Sequence, residues 1–303
     1  MVHIMKKQDC IYGEFFYENM LTSYRVYGDP ESPLTPLIII HGGPSGGFDY
    51  LLNYHQLSKD GRMVIFYDQL GCGRSTHFPY AGKDFWTIPR YIKQLQQVIS
   101  HLGIENKYSI LGHSWGGMLA AEWACQCPSG LVGTVFASAP AKIQTWRDES
   151  ERLFRTIFSV SDEFFVKEIM LARAYQNPPE QLQQYYASHV YMLEDEKEHI
   201  QRSNAQFNAD PTAYHAMWGA NEIAATGSLS EWDITDRLKN ISFPCLVLHG
   251  EFDQATLLVV QPFIDEISNS HIVTVPGSSH NPHEENTTPC LVAVDNFLRG
   301  LDS

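Results

Sequence analysis

No apolar run in this sequence reaches the roughly 20 residues needed to cross a bilayer. Positive charge is also scarce: Lys and Arg total 21 against 35 Asp and Glu, a net charge of −14. Such a surface repels phosphate backbones and anionic headgroups, so neither nucleic acid nor membrane is an expected partner. The six cysteines are scattered; only Cys125 and Cys127 stand close, and no spacing resembles a zinc site. The first residues, MVHIMKKQDC, lack the apolar core of a signal peptide. Repeats and low-complexity segments are missing as well. The expectation is a cytoplasmic chain, monomeric or a small homo-oligomer, whose 303 residues bury a large core without disulfides, metal or cofactor.

What is present begins with short β-rich runs that stop at glycine-containing turns. Leu37–Ile40 ends in His41-Gly42-Gly43-Pro44, Met63–Tyr67 in Asp68-Gln69-Leu70-Gly71, and Tyr108–Leu111 at Gly112; Leu131–Phe136 is a fourth. Helical patterns over Ile88–Leu102 and Gly116–Cys127 lie between them. Alternation of this kind predicts an α/β fold with a mostly parallel sheet covered by helices on both faces. From about Lys142 the pattern changes to charged, aromatic and helical, with helices expected near Asp148–Val160, Asp162–Tyr175, Pro179–Glu194 and Thr212–Asn221. The α/β pattern resumes at Pro244–Gly250, with a strand at His271–Val275 and a last helix at Leu291–Leu298. The predicted organisation is therefore a core of residues 1–141 and 237–303 with a helical cap at 142–236.

Gly112-His113-Ser114-Trp115-Gly116 is a G-x-S-x-G match between a strand and a small-residue helix. That context predicts a nucleophile elbow with Ser114 at the helix N-terminus. A serine needs a base to take its proton and a carboxylate to orient the base, in the chain order Ser, acid, His for this type of fold. Among 13 histidines, His280 follows a predicted strand, with His283 and His271 as competitors. Asp253 follows the strand ending at His249, with Glu251 as the alternative. The oxyanion hole falls to the Trp115 amide and one from the glycine loop, Gly43 or else Gly42.

These segments together resemble the proline iminopeptidase family of α/β-hydrolases. The resemblance rests on HGGP at 41–44, Tyr67-Asp68-Gln69-Leu70-Gly71-Cys72-Gly73-Arg74-Ser75, the GHSWGG elbow, Gly250-Glu251-Phe252-Asp253 and Gly277-Ser278-Ser279-His280. It continues through Trp218-Gly219-Ala220-Asn221-Glu222 and Glu231–Asp236, and so covers nearly the whole chain. It implies an α/β-hydrolase fold and release of an N-terminal residue, often proline, from short peptides or amino-acid amides and esters, with no metal or cofactor. It further implies that Glu222 pairs with the substrate ammonium, supported by Asn221, because a buried cation without a partner is costly. Gly42 and Trp218 are further candidates for the substrate site, with Trp115, Phe48, Tyr50 and Tyr214 as possible apolar walls. Arg74 is expected to hold neighbouring loops together. The sequence departs from the family at Gln254, where similar aminopeptidases carry a second acid. That departure motivates the alternative of an ester, lactone or amide hydrolase that needs no free amine.

Overall fold

The computed structural model describes residues 10–173 and 177–302. Its described residues form one eight-stranded sheet in the order β1-β2-β4-β3-β5-β6-β7-β8. The strands are β1 (Ile11–Tyr17), β2 (Met20–Tyr27), β3 (Leu37–Ile40), β4 (Val64–Tyr67), β5 (Tyr108–His113), β6 (Leu131–Ala137), β7 (Cys245–Gly250) and β8 (Ser270–Val275). From β4 through β8 every pairing is parallel; β1 and β2 join antiparallel at one edge. The central strands β3, β4, β5 and β7 are buried at every position, which is why they read as mostly apolar runs.

The β1–β2 hairpin did not register as strands in the sequence. Its two-residue turn, Glu18-Asn19, has positive φ at both positions, the geometry of a tight hairpin, but lacks the glycine that usually announces one. β1 lies at the sheet edge with Tyr12 and Phe16 exposed, so no apolar-in, polar-out alternation marks it.

Helices α1 (Ile88–His101) and α2 (Trp115–Ala124) follow the expected spans within a few residues. All helices between β6 and β7 lie in one excursion: α3 (Ile143–Ile157), α4 (Asp162–Phe164, continued by a wide π-type turn over Phe165–Met170), α5 (Glu180–His189), α6 (Glu198–Ala209), α7 (Thr212–Met217) and α8 (Thr235–Leu238). The chain leaves and returns at one point. Lys142 bridges Asp233, Ile143 N donates to Trp232 O at 3.0 Å, and Ile234 N to Ala141 O at 3.1 Å.

Several expected spans need correction. α3 starts at Ile143, five residues before Asp148. The helix expected over Asp162–Tyr175 gives way to the π-type turn, and Tyr175 lies outside the described residues. α5 ends at His189, short of Glu194, and α7 ends at Met217, short of Asn221, where Gly219 takes φ +130°. α6 was not expected at all, because only Ile200 and Ser203 of its residues are buried and no apolar stripe marks it. Past β7 come α9 (Leu257–Glu266), α10 (Pro282–Glu285) and α11 (Thr287–Asp302). α9 carries Pro262 in its interior, which disguised it, and α11 runs four residues beyond Leu291–Leu298 at each end.

The sheet order places the site. The chain runs from β3 to β4 on one side and then crosses to β5 on the other, so the loops leaving β3 and β5 diverge and open a crevice above adjacent strands. Such a switch point at the carboxyl ends of parallel strands is where ligands bind in open α/β sheets.

Candidate active site

Ser114 stands between β5 and α2 with φ 54° and ψ −122°, a left-handed conformation that is strained for a residue with a side chain. The turn is tight enough to demand its glycines. A Cβ on Gly112 would lie 2.2 Å from Gly116 O, and one on Gly116 would lie 2.2 Å from Ile40 O. Across the crevice, a Cβ on Gly42 would lie 3.1 Å from Ser114 Cβ, so the glycine loop after β3 passes directly beside the serine.

Asp253, past β7, and His280, past β8, meet at 2.8 Å between Oδ1 and Nδ1, both buried. Asp253 Oδ1 also accepts the Ala255 amide at 2.7 Å. Burial alone would lower the His280 pKa, but the Asp253 carboxylate outweighs it and leaves the imidazole above its ordinary 6.5. Burial likewise opposes ionisation of Asp253, and His280 reverses this to hold the carboxyl low. His280 and Ser114 line one cavity of about 660 Å³. No Ser114 Oγ–His280 bond is formed among the described residues; such contacts often tighten only around substrate.

The competitors go elsewhere. His283 bonds Tyr50 O and stacks on Tyr54, and His271 lies against Phe297. Glu251 accepts the Gly277 amide at the surface.

Glu222 lines the same cavity as Ser114 and His280. Its Oε1 accepts from Tyr214 Oη at 2.8 Å and its Oε2 from Gln254 Nε2 at 3.2 Å. Burial raises its pKa, while nearby His280 and the two donors pull it back. Gln254 is fully buried, and its Oε1 accepts from Tyr185 Oη at 3.3 Å, which fixes the amide with its NH₂ toward Glu222. Gln254 thus buttresses Glu222 from behind.

Two expected substrate contacts need correction. Asn221 does not line the cavity. Its amide is fully committed, donating to Ile169 O and Ala172 O and accepting from the Ile223 and Ala224 amides, so it braces the loop that carries Glu222. Trp218 is buried edge-on against Trp146 at 5.3 Å and does not reach the cavity either. Trp146 holds the inner position, edge-on to His280 at 5.6 Å with its indole N–H donating to Glu222 O at 2.8 Å. Nothing in the sequence distinguished Trp146 from an ordinary packing residue. The Trp115 and Phe48 side chains are core; Tyr50 and Tyr214 do line the cavity.

The segment Asp68–Ser75 works as a brace for the loops around the site. Gln69 donates to His41 O and accepts from the Trp115 indole, joining the glycine loop to the elbow helix. Asp68 accepts the Phe48 and Arg74 amides. Buried Asp49 accepts from Arg74 at 2.7 Å and from Arg202 of α6 at 3.1 Å, and so ties the helical excursion to the core. Asp49→Ala strands these guanidiniums. Because Arg74 and Arg202 are 34% and 40% exposed and can rehydrate, the expected loss is only about 2–3 kcal/mol of unfolding free energy, read from the urea midpoint.

One wall of the cavity is clipped to the loop bearing His280. Asn281 Nδ2 donates to Val190 O at 2.7 Å, the Met192 amide to Glu285 at 2.6 Å, and Glu284 holds Lys197 at 2.8 Å and His199 at 2.7 Å. Among the described residues no group of three or more His, Cys, Asp or Glu side chains could hold a metal ion, and no helix is long and apolar enough to cross a membrane.

The parallel sheet, the strained elbow and the Asp–His pair at successive strand ends define an α/β-hydrolase, and the model of the alpha/beta hydrolase fold family matches residues 35–287. A proline iminopeptidase of Lactiplantibacillus plantarum is 30% identical over 93% of this chain and 98% of its own length. The crystal structure of a proline iminopeptidase from Mycobacterium smegmatis superposes with a TM-score of 0.87 at 36% identity, covering 96% of this chain and 99% of that one. The crystal structure of VinJ covers the same shares with a TM-score of 0.88 at 34% identity. The chain belongs to the proline iminopeptidase family of α/β-hydrolases.

Proposed function

We propose that this hydrolase removes an N-terminal residue, proline or another small apolar residue, from short peptides or amino-acid amides through an acyl-enzyme on Ser114. The observation that carries this reading is a carboxylate, Glu222, in the same chamber as Ser114 and His280. His280 takes the Ser114 proton, oriented by Asp253, and returns it to the leaving amine. The oxyanion sits at the N-terminus of α2, where the Trp115 amide is one donor. The Gly42 amide already donates to Tyr50 Oη at 2.7 Å, so Gly43 is the second. Residues 142–236 act as a cap that limits access to short chains, and Glu222 receives the free ammonium.

The test is a panel of prolyl and alanyl amides with free and N-acetylated amines. Acetylation is expected to lower kcat/KM by about 100-fold or more, since it removes the cation and leaves Glu222 buried against a neutral group. Equal rates would instead support the second reading, a hydrolase indifferent to the amine, which the uncharged Gln254 beside Glu222 favours.

The pH profile follows from the same groups. Only neutral imidazole accepts a proton, and the folded His280 pKa is raised, so kcat/KM should fall on acidification with a midpoint above 6.5. Protonating Glu222 acts in the same direction. A profile flat down to pH 6 would contradict His280 as the base.

A further inference from the structure

His113, the variable residue of the elbow motif, and Tyr50 form a hydrogen-bonded chain of which the mechanism above uses only the bond to the Gly42 amide. Gly42 N donates to Tyr50 Oη at 2.7 Å, Tyr50 Oη lies 2.8 Å from His113 Nδ1, and His113 Nε2 lies 2.7 Å from His280 O. Its proton positions follow from both ends. An amide only donates, so Tyr50 accepts from Gly42 and its own proton must go to His113 Nδ1. A carbonyl only accepts, so His113 must carry its proton on Nε2, leaving Nδ1 as the acceptor. The two ends thus demand the same neutral tautomer. Burial agrees, pushing the His113 pKa well below its ordinary value. The chain is anchored at its middle by His283, whose Nε2 donates to Tyr50 O at 3.0 Å.

We propose that Tyr50 and His113 are positioning residues that set two parts of the machinery at once. At one end the chain occupies the Gly42 amide, which leaves the oxyanion to Gly43 and fixes the loop beside Ser114. At the other it holds the main chain of His280, while Asp253 holds the ring. The glycine loop after β3 and the histidine loop after β8 are far apart in sequence, and this chain joins them through the residue that precedes the nucleophile. The proposal rests on Ser114 and His280 being nucleophile and base.

The test is a double-mutant cycle on alanyl and prolyl p-nitroanilides, with thermal melts to establish folding. Tyr50→Phe and His113→Ala should each lower kcat by 10- to 100-fold and leave KM within threefold, because the displaced groups act on the transition state. The double variant should fall within threefold of the weaker single variant, since either change breaks the same chain. His113→Gln, whose Oε1 can accept from Tyr50 and whose Nε2 can donate to His280 O, should recover at least tenfold over His113→Ala. A Tyr50→Phe enzyme within twofold of wild type, multiplicative losses in the double variant, or a loss carried by KM would overturn the proposal. If Tyr50→Phe does not fold, the comparison of His113→Gln with His113→Ala decides: no recovery overturns it. Turnover by Ser114→Ala would mark a separate failure, of the nucleophile itself.

Discussion

Ser114→Ala is expected to lower turnover of aminoacyl anilides by roughly 10⁴- to 10⁶-fold, because in the proposed mechanism nucleophile and base act as a unit and the loss of one silences the other. The protein should remain folded. Alanine keeps the Cβ, so the strain at φ 54° is unchanged, and Ser114 is anchored through its backbone, with N donating to Ala137 O at 2.9 Å. Unfolding free energy should therefore stay within about 0.5 kcal/mol of wild type. Single-turnover kinetics and fluorophosphonate labelling read the two quantities that matter, acyl transfer and hydroxyl reactivity. A variant within tenfold of wild type, or one that still labels, would show that another group attacks the carbonyl.

Glu222→Gln should produce the second-largest effect, a fall of about 10²- to 10³-fold in kcat/KM on substrates with a free amine, consistent with the few kcal/mol lost when a buried charge pair is broken. The change keeps shape but removes charge and one acceptor, while Tyr214 and Gln254 both donate to the native carboxylate. Part of the loss is therefore expected to be structural. The N-acetylated substrate separates the two causes: damage to the site lowers both substrates alike, whereas loss of ammonium recognition narrows the gap between them. If the ratio of free to blocked substrate is the same in wild type and variant, Glu222 does not bind the amine.

The parallel core was legible because burial on both faces writes itself as short apolar runs, and the glycine turns that end two of them, at 41–44 and 112–116, carry loops that line the cavity. The juxtaposition of Asp253 with His280 was legible for the same reason, since each lies a few residues past a strand. The β1–β2 hairpin and α6 were not, because an edge strand and a cap helix bury too little for a period to show. Asn221 was expected to support Glu222 at the substrate site, and Trp218 to stand beside it. Sequence places them near Glu222 yet does not say which way a side chain turns, and both turn inward, to backbone carbonyls and to Trp146. Nor did the sequence show that the Gln254 amide bonds Glu222, in an orientation set by the Tyr185 bond.

The bonds between residues 190–199 and the loop of His280 also bear on how the cavity keeps its shape. Asn281 and Glu285 lie within five residues of His280, so the cavity wall and the segment that aims this ring are held together as one piece. A substitution that loosens residues 190–199 is therefore expected to be felt at the loop of His280 as well as at the cavity wall.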